Sequence, residues 1–360
     1  YNDDEVPAVV DGLLHNQELL DAITSYKFPT LHRLFGFALR PLVRIAITRE
    51  LKNVKDIASW QLVVAKYMQR MINTSIDHLT YSGIEHLQPD NAYLFISNHR
   101  DITMDPALVG WGLYTHNLET VRIAVGDNLL KKTYISDIMR LNKSFVVKRS
   151  ATGVREKMKA YMDLSSYIDE SVHTGHNIWI AQREGRAKDG VDASDPAVMK
   201  MLYMCKKKSG QSYSDYIDSL HIVPVSISYQ YDPCDVAKAK ELAALAEGGS
   251  YTKTEFEDIS SIVKGIVGHK GDVHVAFGEP LPGGVATPEE LVNWLDTSIA
   301  GHYQIHDTNI AAVALQQGEA HTAAPNLEAR MVGLGQAQRA QMLAMYANPL
   351  LRQRELKKED

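Results

Sequence analysis

Cysteine is scarce in this chain. Its 360 residues include only Cys205 and Cys234, so no disulfide framework is implied and a reducing compartment is expected. Long apolar runs are missing too: nothing approaches the roughly 18 residues that a membrane-spanning helix requires. No secretory signal peptide is legible, so the expected location is cytoplasmic. Basic residues are not in excess, the net charge being −6, and nucleic acid is therefore not an expected partner. There is no Gly-x-Ser-x-Gly elbow, which disfavours a serine hydrolase. Gly333-Leu334-Gly335 follows no strand and is not a dinucleotide fingerprint. His302 and His306 stand four apart on an expected helix but lack a third ligand, so no metal and no cofactor are expected. Repeats and low-complexity tracts are absent.

What remains is an ordinary globular composition, 45% hydrophobic and 23% charged, in a chain long enough for one large domain or two smaller ones. Residues 28–49 set Phe28, Leu31, Leu34, Phe35, Phe37, Leu42 and Ile45 among Arg33, Arg40, Arg44 and Arg49. Such a stretch suits either an anionic membrane surface or a helix packed on a core. Pro41 is expected to kink or divide it. If the membrane reading holds, the protein is peripheral on the inner membrane face.

From about residue 79 the pattern becomes strand, helix, strand. Apolar segments at 92–97, 121–125, 144–147, 177–181 and 221–227 read as strands, with helices between them at 134–140, 153–173 and 196–208. The alternating segment 272–277 reads as an edge strand. The expected fold is α/β: a mixed, largely parallel central sheet covered by helices on both faces, with helical N- and C-terminal segments. The expected organisation is an N-terminal helical segment over 1–77, an α/β domain over 78–283 and a C-terminal helical segment over 284–360.

Polar residues with a common chemistry follow three of these strands. After 92–97 come Asn98-His99-Arg100-Asp101, then Asp105-Pro106, a helix-start signal with Asp as cap. After 144–147 come Lys148-Arg149. After 177–181 come Gln182-Arg183-Glu184-Gly185-Arg186-Ala187-Lys188. If the strands are neighbours, their loops share one rim, where a histidine base would meet arginine forks suited to phosphate. Either Asp105 or Asp101 could hold the His99 ring.

In this order the segments resemble the glycerolipid acyltransferases that acylate glycerol-3-phosphate and 1-acylglycerol-3-phosphate. The family's four blocks match Asn98-His99 with Asp105-Pro106, Phe145 to Arg149, Glu184-Gly185-Arg186, and Val223-Pro224 within an apolar strand. The resemblance covers about residues 79–280. Five residues rather than the family's four separate His99 from Asp105, and Lys148 stands where an acidic residue is frequent. The resemblance implies a transferase that moves an acyl chain from acyl-coenzyme A or acyl carrier protein to a glycerol-phosphate hydroxyl. It assigns His99 as general base with Asp105 as partner, and Arg149, Glu184, Gly185, Arg186 and Lys188 to acceptor binding. Backbone N–H groups near the first block would hold the oxyanion. An acyl thioesterase, or a non-catalytic lipid-binding module, is the alternative reading of the same residues.

Overall fold

The computed structural model describes residues 1–252 and 257–359, and of residues 29–37 and 359 only the backbone. In chain order its elements begin with α1 (Val6–His15), α2 (Gln17–Lys27), α3 (Pro29–Leu51), α4 (Ile57–Ser75), β1 (Leu79–Ser82) and β2 (Leu94–Ser97). Next come α5 (Met104–Thr115), β3 (Arg122–Gly126), α6 (Thr133–Leu141), β4 (Ser144–Val147), α7 (Val154–His173) and β5 (Ile178–Ala181). They are followed by α8 (Pro196–Leu202), α9 (Tyr213–Asp218), β6 (Ile222–Tyr229), α10 (Asp235–Ala246), α11 (Glu257–Val267) and β7 (Val273–Phe277). The chain closes with α12 (Pro288–Gly301), α13 (Asp307–Gln317), α14 (Ala324–Arg330) and α15 (Gln336–Glu359).

Two compact units result. One comprises Tyr1–Arg70 and Arg122–Ser150, the other Met71–Val121 and Ala151–Asp360, so the division falls inside the segment 78–283 as well as near its start. In the larger unit the strand order is β1-β7-β6-β2-β5. All its pairings are parallel except β6 with β7. In the smaller unit β3 and β4 pair in parallel. The α/β class and the mixed, largely parallel sheet are thus as expected.

Burial explains the central position of β2. Leu94, Phe95 and Ile96 are wholly buried, flanked on both sides by the continuous apolar runs of β5 and β6. Such runs cannot face water and select the interior of a parallel sheet. Burying each side chain of this size is worth roughly 1.5–3 kcal/mol. The segment 272–277 departs from its expected place: β7 is not an edge strand but lies between β1 and β6. Its one half-exposed position, His274, faces β1, where Thr80 and Ser82 hydrogen-bond to the imidazole. That polar cross-strand contact is what made an interior strand look like an edge.

The smaller unit gathers Val6, Val10 and Leu13 of α1, Trp60 and Val63 of α4, and Leu141 of α6 into one core. Helix α3 runs 23 residues without a break, with Pro41 inside it, so the expected division does not occur. Proline removes one backbone bond, and the rest of the ladder carries the helix across. Within 28–49, Val43 is buried whereas Leu42 and Ile45 are exposed. Arg40 is paired with Asp21 through both guanidinium and carboxylate edges, and Arg44 meets His15. The side chains of Leu31, Arg33, Leu34, Phe35 and Phe37 lie outside the described residues. No described helix is long and apolar enough to cross a membrane.

Candidate active site

Strand β2 ends in Ser97, and the chain turns at once into Asn98, His99, Arg100 and Asp101 before α5. Asn98 is wholly buried and continues the sheet with its side chain. Its amide oxygen accepts from Ile227 N at 2.8 Å, and its NH2 group donates to Ile227 O at 3.0 Å. This two-point bond to β6 fixes where the next residue leaves the strand. His99 then lies edge-on to Trp179 of β5, with ring centroids 5.8 Å apart.

The His99 ring meets Asp105 and not Asp101. Its Nδ1 is 2.9 Å from Asp105 Oδ2, and Asp105 is fully buried. The same oxygen accepts the backbone N–H groups of Arg100 at 2.6 Å and Asp101 at 2.9 Å. The other oxygen accepts the hydroxyl of Tyr229, at the end of β6, at 2.8 Å. With four donors the carboxylate is acceptor-only, so Nδ1 carries the proton and Nε2 presents its lone pair. Nε2 bonds no described residue and is not sealed from solvent.

Asp101 has a different task. Its Oδ1 accepts Thr103 N at 2.9 Å and Met104 N at 2.8 Å, so it satisfies the start of α5, which begins at Met104 rather than after Asp105. The helix therefore starts two residues earlier than a cap at Asp105 would place it. Asp105 sits inside the first turn of α5. Burial and the neighbouring Asp105 charge push the Asp101 carboxyl above its ordinary pKa. The N–H groups of Arg100, Asp101, Thr103 and Met104 all serve these two carboxylates, so they are not the oxyanion donors expected near the first block.

The loop after β5 joins the same place. Gln182 N bonds Ser97 O at 2.8 Å, and Ala187 N bonds His99 O at 2.7 Å, which brings the backbone next to Arg186 against that of the histidine. Two glycines allow the turn. Gly185 (φ +80°) and Gly190 (φ +78°) occupy the left-handed region. At Gly190 an added Cβ would also meet Met345 O at 2.1 Å. Arg186 is half-buried and its charge helps hold Asp232 at a low pKa: burial works to raise that group, but Lys238, the Cys234 N–H and Arg186 outweigh it. Glu184 is exposed. The Lys188 ammonium is paired with Glu241 of α10. Arg149 belongs to the smaller unit, where its backbone N–H and that of Ser150 both donate to Asp127.

Several partners had no sequence signal. Arg100, nine-tenths buried, pairs with Asp192 at 2.6 Å, donates to Gly190 O at 3.3 Å and stacks over Tyr303 at 5.4 Å. Lys238 of α10 donates to Arg100 O at 2.6 Å and pairs with Asp232. Tyr229, Asp192 and Lys238 come from 87 to 139 residues further along the chain than Asp105 or His99, a separation no local pattern bridges. The possible metal pair dissolves: His302 ends α12 and His306 precedes α13, so the two do not share a helix.

Residues 78–228 match the family model of the acyltransferases, and the chain carries an acyltransferase domain over that span. Among solved structures, the chain is similar to the 1-acyl-sn-glycerophosphate (LPA) acyltransferase PlsC from Thermotoga maritima. That similarity has 14% identity and a TM-score of 0.41, covering 78% of this chain and 92% of that one. No curated protein sequence matches the chain.

Proposed function

We propose that the protein is a glycerolipid O-acyltransferase that uses His99 as general base and Asp105 as its partner. The observation that carries this reading is the pair itself: a buried, four-fold hydrogen-bonded carboxylate fixing an imidazole whose Nε2 remains open. In the proposed reaction, Nε2 takes the proton of an acceptor hydroxyl as the oxygen attacks the carbonyl of an acyl thioester. Collapse of the tetrahedral adduct breaks the carbon–sulfur bond, and the imidazolium returns the proton to the departing thiolate. No acyl-enzyme forms, because the base activates the acceptor directly.

Arg186, on the loop bonded to His99 O, is our candidate to bind the acceptor's phosphate, with Glu184 and the Gly185 turn shaping the loop around its hydroxyls. Lys188, held by Glu241, would fix that loop. For the block that ends in Arg149, the proposal of acceptor binding rests on the sequence alone. The donor is an acyl thioester of coenzyme A or of acyl carrier protein, and the acceptor glycerol-3-phosphate or its 1-acyl derivative.

The test measures thiol release from both donors with and without each acceptor. Release that depends on a phosphorylated acceptor, and is abolished by His99→Ala in a protein with an unchanged melting temperature, is the expected result. Equal release without acceptor would make the protein a thioesterase, and near-wild-type turnover of His99→Ala would overturn the mechanism.

A further inference from the structure

Helix α7 buries only part of its apolar surface. Along its second half the apolar face packs inward, with Ile168 and Val172 buried and Ser165 sealed against Leu202 O. The same face continues through the first half of the helix, but there it is bare. Val154 is 81% exposed, Met158 55%, Tyr161 41% and Met162 39%. At 3.6 residues per turn these four fall in one sector about 100° wide. Lys157 and Arg155, both exposed, stand at its two edges, with Lys159 just beyond. The acidic residues of these turns, Glu156 and Asp163, lie on the opposite side of the wheel.

From this arrangement we infer that the first two turns of α7 lie on an anionic lipid surface. An apolar sector with cations at its margins and acids on its back is the layout of a helix in the plane of a bilayer interface. The apolar side chains enter the acyl boundary while the long basic side chains reach the phosphates. Charge decides among the possible occupants. A second copy meeting this face across a two-fold axis would set Arg155 and Lys157 against their own counterparts. An acidic protein surface would satisfy the cations but leave the central Val154 and Met158 without an apolar complement. A bilayer with anionic headgroups satisfies both. The inference is independent of the catalytic proposal, since it is read by binding and not by turnover.

Its test is flotation of the full chain with vesicles of phosphatidylcholine and of an equimolar mixture with phosphatidylglycerol, at low and high salt. The expected result is recovery with the mixed vesicles that weakens as salt rises, and little with phosphatidylcholine alone. Val154→Asp with Met158→Asp should lower partitioning at least tenfold, and Lys157→Glu should lower it on mixed vesicles only. Glu156→Gln, on the opposite side, should not lower it. All four side chains are exposed, so melting temperatures should stay within a degree or two. Failure of the wild-type chain to float, or undiminished flotation of the double variant, overturns the inference. So does capture of acyl carrier protein instead of vesicles with the same dependence on these residues.

Discussion

Asp105→Asn is the sharpest perturbation of the proposed site, because its surroundings determine which way the new amide faces. Two backbone N–H groups, from Arg100 and Asp101, converge with His99 Nδ1 on Asp105 Oδ2. An asparagine can place only its oxygen there, since an NH2 group would confront three donors. Its NH2 then faces the Tyr229 hydroxyl, which can turn to accept. The imidazole therefore keeps its tautomer and its place, and what disappears is the negative charge beside the imidazolium that forms during turnover. For charge centres on the order of 4 Å apart at an effective dielectric constant of about 20, that attraction is about 4 kcal/mol.

At about 1.36 kcal/mol per decade, the loss corresponds to a fall in kcat of roughly a thousandfold. KM for both substrates should change little, because Asp105 is fully buried and touches neither. Acceptor-dependent thiol release measures both constants. A fall below about tenfold would refute the assignment of Asp105 as the charge that supports His99. A fall as complete as that of His99→Ala would refute the argument that the two backbone donors preserve the ring's orientation.

Tyr229→Phe leaves Asp105 Oδ1 buried without its donor and should cost on the order of 1–3 kcal/mol, read as a lower urea midpoint with unchanged slope. Gly190→Ala forces a Cβ onto Met345 O at a φ of +78° and should destabilise by on the order of 3 kcal/mol, with activity lost through displacement of the loop that carries Arg186. Lys270, wholly buried against Ser75 Oγ and the carbonyls of Ile266 and Gly268, has its pKa lowered by burial to about 8. The unfolded chain therefore binds more protons between about pH 8 and 10.5, so stability rises with pH across that window, and the cost of the buried charge is present in full below it. The rise, on the order of 3 kcal/mol at most, should be missing from the urea midpoints of Lys270→Met; a variant that keeps the wild-type slope against pH would refute the assignment.

The α/β class was legible because β2, β5 and β6 are near-continuous apolar runs ending in polar clusters, and burial on both faces is the condition that produces such runs. The His99–Asp105 contact was legible in part for a related reason: both residues lie on the connection that follows β2, although Asp101 was closer still in the sequence. The position of β7 was not legible, because His274 gives it the alternation of a half-exposed strand, whereas its exposed-looking residue is answered by Thr80 and Ser82 some 190 residues away in the chain. The continuity of α3 was not legible from Pro41 alone. Pro41 does not divide the helix, because one lost hydrogen bond is small beside a 23-residue ladder. Helix α10 supplies Lys238 to Arg100 O and Glu241 to Lys188 across 138 and 53 residues of chain, beyond the reach of a local pattern.

The strand pattern places the first and third blocks on one rim, one carrying a base and the other cations, but does not show what joins them. In the fold they are one body. Arg100, next to the base, spends its guanidinium on Asp192 and Gly190 of the third loop, and Ala187 N of that loop bonds His99 O. Lys238 then closes the carbonyl of Arg100 from behind. A buried charge pair of this kind costs desolvation and adds little net stability, yet removing one partner is expensive because the other stays buried. Its value here is positional: it makes the distance between His99 and the Arg186 loop a fixed property of the fold. The proposed phosphate cation and the proposed base therefore cannot drift apart independently, and a substitution at Asp192 should disturb acceptor binding and proton transfer together although it touches neither substrate nor base.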